Sequence, residues 1–390
     1  MITKYKLFCE SLKNDMWSII PQSVKELHEL FKSKGKKLYV VGGAVRDFLN
    51  SDKPKDFDLC TDALPDEVLE ILGTKYRTNL QGKAFGVVVV FTEDEPSGME
   101  IATFREDISK GRNPEVKLGV TIEDDVKRRD LTYNALFYDL DKREIVDLVG
   151  GVSDMKSKIT RMVGDAIERI DEDSLRILRA FRFASRYGTP LSDDLSKAIK
   201  IRNQLENIDP DTGKMKRISA ERIFEEMKKS FKQAKSYKQY LEFFNEFDMW
   251  KEVFPGSKIN TDIEEAHELT SYVANLFKFE DTQKLENKMI LDYKIEGDIA
   301  SKVVFLIDLL KLSPENAFDL YKKKVRCHCT SAQIIDWLDT CGVHSKIFIR
   351  FIDYVPSVSA EDLMAKGFKG KELGDEIKRL EIENFKKFIS

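Results

Sequence analysis

The chain has 390 residues, 42% hydrophobic and 34% charged, with a formal net charge of −4, a balance that suits about two to four globular domains with real cores. No apolar run approaches the roughly 18 residues of a membrane-crossing helix, and the opening MITKYKLFCESLK has neither an apolar signal region nor a small-residue cleavage site; the expected compartment is the cytoplasm. The cysteines, Cys9, Cys60, Cys327, Cys329 and Cys341, are odd in number and scattered, which suits reduced thiols in a reducing compartment.

Residues 1–20 read as a charged N-terminal extension. Pro21 to Lys34 places Val24, Leu27, Leu30 and Phe31 at helical spacing behind a Pro suited to a helix start. Leu38 to Val41 is a short apolar run ending in Gly42-Gly43, the pattern of a buried strand entering a tight turn. Without a Cβ, both glycines let backbone N–H groups approach a phosphate, and the helix from Ala44 to Leu49 aims its positive end at the same place. Arg46 adds a fixed positive charge one turn in.

Asp56 and Asp58 flank Phe57. In a strand, residues two apart share a face, so both carboxylates point one way while Phe57 enters the core. Such a pair repels unless a cation lies between, and Mg²⁺ with its oxygen ligands suits that chemistry. A DxD alone also reads as a solvated strand end; the Gly-Gly turn just upstream favours the metal site.

Pro65 to Leu72 reads as an amphipathic helix, and Phe85 to Phe91 and Met99 to Phe104 as central strands. Glu100, on the second of these, offers a third carboxylate that could bind the metal or take a proton from a hydroxyl, or simply face outward. Arg105 to Lys117 reads as a mobile polar loop. The spacing predicts one helix over Thr121 to Asp139, carrying Arg128, Arg129 and Asp130 near its middle; Arg forks there suit a triphosphate or ribose clamp, or a surface salt-bridge cluster. Ile145 to Gly151 closes the unit with a strand and a Gly-Gly stop, so a domain boundary is expected near Gly151.

Beyond it strand signals largely vanish. Lys156 to Lys235 holds 19 Lys/Arg against 13 Asp/Glu, a local +6 that leaves −10 for the rest; a basic middle of this kind can hold an RNA backbone. Within it, Asp173, Arg176, Arg179 and Arg182 recur every three residues, predicting a winding polar stripe on one helix, with Leu175, Leu178, Phe181 and Phe183 on the buried side. A carboxylate only accepts hydrogen bonds and a guanidinium only donates them. Side by side, Asp173 and Arg176 match the Watson–Crick edges of cytosine and adenine and oppose those of uracil and guanine.

The ordered motifs GGAVRDFL (Gly42 to Leu49), DFD (Asp56 to Asp58), RRDLTYNAL (Arg128 to Leu136) and EDSLRILRAFRF (Glu172 to Phe183), with AKGFKGKELGDEI (Ala365 to Ile377) near the end, resemble those of the class II tRNA nucleotidyltransferases, the CCA-adding enzymes, whose relatives include bacterial poly(A) polymerases. The resemblance spans nearly the whole chain. It implies an α/β nucleotidyltransferase head with a small mixed sheet, followed by an all-α neck, body and tail in an elongated, seahorse-like arrangement. The implied divisions are a head over 21–151, a neck with the base-reading helix over 152–240, and a tRNA-binding body and tail over 241–390. It implies Mg²⁺ on Asp56 and Asp58, nucleotide contacts from Gly43, Arg46 and Arg129 with Asp130 in the same motif, base selection by Asp173 and Arg176, and Arg179 and Arg182 about the incoming triphosphate. The implied partners are the tRNA acceptor end, CTP and ATP. Asp165-Ala166 stands where a Pro often follows the Asp, and the Arg105 to Lys117 loop is a residue or two short. The expected activity is addition of C, C and A; a CC-only or A-only enzyme, a poly(A) polymerase, and an inactive RNA-binding module on the same fold are the alternatives.

Overall fold

The computed structural model describes residues 16–109, 115–209 and 212–390. Most of the expected N-terminal extension, with Cys9, and positions 110–114 of the expected loop therefore lie outside the described residues. No helix among the described residues is long and apolar enough to cross a membrane. The chain falls into two compact units divided between Ile218 and Ser219. That division lies inside the stretch expected as the neck, so the part of it expected to read the base belongs to the same unit as the expected head.

In chain order the first unit contains α1 (Met16–Ile19), α2 (Gln22–Ser33), β1 (Leu38–Val41), α3 (Gly43–Leu49), β2 (Leu59–Thr61), α4 (Pro65–Leu72), β3 (Arg77–Asn79), β4 (Val87–Phe91), β5 (Met99–Thr103), β6 (Arg105–Asp107), β7 (Val116–Leu118), α5 (Ile122–Lys127), β8 (Phe137–Asp139) and β9 (Glu144–Val146). It continues with α6 (Gly151–Ser157), α7 (Ala166–Glu172), α8 (Leu175–Tyr187), α9 (Asp193–Ile201), β10 (Glu206–Ile208) and β11 (Met215–Arg217). Seven strands form one mixed sheet in the order β3-β4-β5-β2-β1-β8-β9. The β2–β5 pair is parallel and the other pairs are antiparallel. All four residues of β1 are buried, as expected of a strand with neighbours on both edges and cover on both faces. On one face the rings of Tyr39, Phe104 and Phe137 meet at centroid distances of 5.7 to 6.3 Å and pack with Val41, Cys60, Val126 and Val163.

Three local expectations need correction. Thr121 to Asp139 is not one helix: α5 stops at Lys127, a 3₁₀ turn covers Thr132–Asn134, and Phe137–Asp139 is a strand. Leu131, Phe137 and Tyr138 are all buried, more than one face of a surface helix can hide, and pairing with β1 and β9 satisfies the backbone that such burial desolvates. The ends of the Arg105 to Lys117 segment are not loop; they pair as β6 and β7, with Arg105 opposite Leu118. The expected strand from Ile145 is only β9, because the Asp147 carboxylate accepts the N–H groups of Val149, Gly150, Gly151 and Val152 at 2.8 to 3.2 Å and starts α6 instead. A Cβ on Gly151 would lie 2.3 Å from the Thr132 carbonyl oxygen, so this helix start can carry only glycine.

Every regular element of the second unit, from Ala220–Gln233 to Gly370–Ile389, is helical. Its aromatic core includes Tyr240, Phe244, Trp250, Phe254, Phe277 and Tyr293. Glu381, fully buried, accepts from Tyr354 Oη at 2.6 Å and from the Ser357 and Val358 amides at 2.7 and 2.6 Å, so it pins the last helix to the segment before it. Lys322, Lys323 and Lys324 have partners inside this unit: Asp319, Asp308 and the Ile352 carbonyl.

Candidate active site

Asp56 and Asp58 lie in the segment leading into β2 rather than within it. The alternation nevertheless holds: Phe57 is buried and both aspartates are exposed. The Val41 amide donates to the Asp58 carbonyl at 2.9 Å, extending the β1–β2 ladder by one step. Since Leu59 pairs with Ile101 in the parallel β2–β5 register, Glu100 comes alongside Asp58, its side chain exposed between buried Met99 and Ile101. Desolvation, then the charges of Glu100 and Asp56, push the Asp58 carboxyl up to about 6 against the pull of Arg129. Among the described residues no three such groups close into a ready-made metal cage; the trio is a patch of mutually repelling oxygens.

The glycine turn places its two residues differently. Gly42, at φ 66°, spends its N–H on the Leu136 carbonyl at 2.9 Å, so it is not a phosphate donor as the sequence suggested. Gly43 opens α3 and belongs to the first turn, whose amides have no partner inside the helix. Arg46 is buried, with its guanidinium on Asp47 at 3.0 and 3.1 Å, on Asn134 Oδ1, and over the Phe183 ring at 4.9 Å. Asp47 also accepts from Arg186 at 3.1 Å and from Tyr187 Oη at 3.2 Å. Helix α3 is thereby tied to α8.

The Arg128-Arg129-Asp130 motif hangs on a residue the sequence reading overlooked. Asp125, with no exposed surface, accepts two bonds from Arg128 at 3.0 and 2.7 Å and two from Arg129 at 3.0 and 2.8 Å, as well as the Arg105 amide at 3.1 Å. Its i+3 and i+4 spacing to the two arginines was the available signal. Arg129 also donates to Cys60 Sγ at 3.4 Å and lies 4.8 Å over the Phe137 ring. Asp130 turns the other way: Arg179 grips one of its oxygens with Nε at 2.8 Å and Nη2 at 2.6 Å, while Asn134 at 3.1 Å and the Leu131 amide at 2.8 Å take the other. Burial alone would raise the Asp130 pKa, but the Arg179 charge and these bonds hold it well below the usual carboxylate range.

The expected base reader is divided between two elements. Asp173 does not share a helix with the arginines; it breaks the chain between α7 and α8 with extended backbone, φ −153° and ψ 104°. The four-residue stripe on one helix is therefore corrected to three arginines on α8 with the aspartate at its mouth. Arg176 donates to the Arg169 carbonyl and to the Arg128 carbonyl, both at 3.0 Å, and pairs with Glu172. Arg182 is buried, with its guanidinium 4.2 Å over the Phe183 ring. Through Arg176, Arg179 and Arg186, α8 is thus bonded to the Arg128–Asp130 segment and to α3. Asn134, which holds Asp130, lies inside the RRDLTYNAL motif but was given no role there, and Asn207, which holds Asp173, carried no sequence signal.

A family model described as the poly A polymerase head domain matches residues 38–161. Over 412 aligned residues the chain is 30% identical to CCA tRNA nucleotidyltransferase 1, mitochondrial, of Mus musculus, covering 99% of this chain and 91% of the mouse protein. The chain belongs to the CCA-adding tRNA nucleotidyltransferase family. Membership makes it an enzyme of the nucleotidyltransferase class. It is 29% identical over 397 residues to the CCA-adding enzyme of Ligilactobacillus salivarius, covering 93% of each. The crystal structure of the Bacillus stearothermophilus CCA-adding enzyme in complex with CTP shares its fold, with a TM-score of 0.67 at 22% identity over 92% of this chain and 91% of that one.

Proposed function

We propose that this enzyme completes the tRNA 3′ end by adding C, C and A from CTP and ATP, without a nucleic-acid template. The observation that supports the reading is the bonding of α8, through Arg176 and Arg179, to the Arg128–Asp130 segment, within the same compact unit as Asp56 and Asp58. The mouse and Ligilactobacillus relatives, both named for CCA addition and matched over nearly their whole lengths, support the product.

The reaction joins the tRNA 3′-hydroxyl oxygen to the α-phosphorus of the nucleotide while the bond to pyrophosphate breaks. Asp56, Asp58 and Glu100 form an all-oxygen, charge-rich donor set that fits Mg²⁺; desolvation first, and then the Glu100 and Asp56 charges, raise the Asp58 pKa. Held by Asp56 and Asp58, Mg²⁺ would acidify the attacking hydroxyl and neutralise charge on the phosphoryl oxygens. Glu100, exposed beside Asp58, would accept the hydroxyl proton. Gly43, Arg46 and Arg129 would hold the phosphates, with Arg179 and Arg182 beside them and Asp130 orienting Arg179. Asp173 and Arg176 would read the base, Arg176 being positioned by Glu172 and two carbonyls before a nucleotide arrives.

On this reading residues 21–151 form the catalytic head, 152–240 the neck, and 241–390 the tRNA-binding body and tail. A cytoplasmic setting belongs to it as well, supported by the free thiols of Cys60, Cys327, Cys329 and Cys341, although the mouse relative is named as mitochondrial.

The direct test is purified protein with Mg²⁺ and a tRNA transcript lacking CCA, given each nucleotide alone and in pairs and read at nucleotide resolution. Two C residues with CTP and one A only when ATP follows supports the proposal. A run of A, a stop after CC, addition of A alone, or no extension each selects a different protein.

Two further outcomes are expected. A carboxyl raised from its ordinary 3.8 to about 6 holds its proton more tightly in the folded state, so Asp58 makes the metal-free fold lose stability as pH rises through that window. Mg²⁺ binds the ionised form, and its affinity rises over the same window. Calorimetric titration should give much tighter Mg²⁺ binding at pH 7.5 than at pH 5; equal affinities would remove Asp58 from the metal site. Arg176→Ala should lower the preference for CTP and ATP over UTP and GTP by about ten- to a hundred-fold, since one charged donor is worth roughly 1.5–3 kcal/mol. Continued full exclusion of UTP by that variant would end the base-pairing account.

A further inference from the structure

Asn207 lies outside every quoted motif. It sits at the centre of β10, which pairs with β11 so that Asn207 faces Lys216. The hairpin is rooted in the core: the Ile218 amide donates to the Leu205 carbonyl at 2.7 Å, and both side chains are buried. From this base Asn207 reaches the break between α7 and α8. Its Nδ2 donates to Asp173 Oδ1 at 2.9 Å, and its own Oδ1 accepts the Ser174 amide at 2.8 Å. The Leu175 amide adds a third, longer bond, 3.3 Å to the same Asp173 oxygen.

The grip matters because of where Asp173 stands. A residue in extended backbone between two helices has no helical frame to set its side chain, and an aspartate carboxylate rotates broadly about its last torsion. Asn207 uses both halves of its amide, the donor on the carboxylate and the acceptor on the next backbone N–H, so it fixes the carboxylate relative to the main chain. With one oxygen committed to Asn207 and Leu175, the plane of the other is set. Aspartate at 207 would turn the donor into a second acceptor facing Asp173, and alanine would leave the Ser174 amide, on a residue 1% exposed, without its partner.

We infer that Asn207 is the positioning residue that aims the Asp173 carboxylate at the base edge and thereby sharpens the choice of C and A over U and G. This rests on the reading of Asp173 as base reader. A carboxylate free to swing still accepts from an exocyclic amine but no longer stands rigidly against a uracil O4 or guanine O6. The loss therefore falls on discrimination and not on turnover with the correct nucleotide.

The test compares Asn207→Ala, Asp173→Ala and the double variant in the full-length enzyme, measuring kcat/KM for CTP and UTP on the same tRNA, with tRNA affinity and thermal melting alongside. Asn207→Ala is expected to lower the CTP-to-UTP ratio about ten-fold, the worth of one well-made hydrogen bond, and to add nothing once Asp173 is alanine. If Asn207→Ala keeps wild-type discrimination while Asp173→Ala loses it, the inference fails and the base-reader reading stands. If Asp173→Ala keeps discrimination, that reading fails and takes this inference with it. An equal loss with CTP and UTP, leaving the ratio unchanged, makes Asn207 a structural residue and overturns the inference. Should Asn207→Ala not fold, Asn207→Asp, nearly identical in shape, is scored by the same ratio.

Discussion

Asp58→Ala is expected to lower CMP incorporation by about a thousand-fold or more, a loss of roughly 4 kcal/mol in transition-state stabilisation, while tRNA affinity stays within about two-fold of wild type. Asp56→Ala should match it. The two aspartates are exposed around buried Phe57, so removing either carboxylate opens no cavity. What disappears is half of the oxygen pair proposed to hold the cation, and with it the charge neutralisation on which phosphoryl chemistry depends. Folding should not suffer: removing the Asp58 carboxyl ends the desolvation that chiefly raises it, and removing either carboxylate relieves the smaller charge repulsion between them. Single-turnover primer extension with a filter-binding assay separates the two quantities. Near-wild-type turnover in either variant would falsify the metal assignment.

Asp125→Ala should be the costliest single change to stability in the head, about 3–5 kcal/mol, because it strands two arginines whose side chains are only 19% and 15% exposed. The pH dependence has a definite sign. Burial alone would raise the Asp125 pKa, but Arg129, Arg128 and the hydrogen bonds to its carboxylate outweigh that and hold it below 3.8. Its stabilisation is therefore complete above the unfolded value and is lost as pH falls through the lower, folded one. Urea titrations of wild type and variant should differ fully at pH 7 and converge on acidification below pH 3.8. Asp125→Asn, which keeps the acceptor oxygen and loses the charge, should fall between them. A difference that stays constant down to pH 2 would separate the effect from the ion pairs.

The head was largely legible from local pattern. Leu38 to Val41 is a strand as expected, and the strands expected over Phe85 to Phe91 and Met99 to Phe104 form with trimmed ends, at Val87–Phe91 and Met99–Thr103, Phe85 closing a 3₁₀ turn instead. Pro65 to Leu72 announced its helix with a Pro at the start and a Gly after the end. The failures share one cause. Thr121 to Asp139 has helical spacing of apolar residues, but Phe137 and Tyr138 find better burial beside β1, a strand some hundred positions away in sequence. Asp173 has the right three-residue interval for the α8 stripe, yet the chain breaks there, and bonds to Asn207 and Leu175 stabilise the extended turn. Gly42 is where a phosphate turn would need it, but Leu136, carried in by the same misread segment, takes its N–H.

The identities of the chemical groups were therefore determined by the sequence alone: two alternating carboxylates, a glycine turn, an Arg-Arg-Asp run and an Asp with three arginines at intervals of three. Those are facts of residue type and spacing, readable without the rest of the chain. Which groups act as partners was decided only by tertiary structure. Asp130 faces Arg179, Asp47 faces Arg186, Glu100 comes beside Asp58, and Asn207 holds Asp173. Each pairing joins residues more than thirty positions apart, where no periodicity reaches. Buried charges take whichever opposite charge or hydrogen-bond partner the packed backbone presents, because leaving them unpaired costs several kcal/mol.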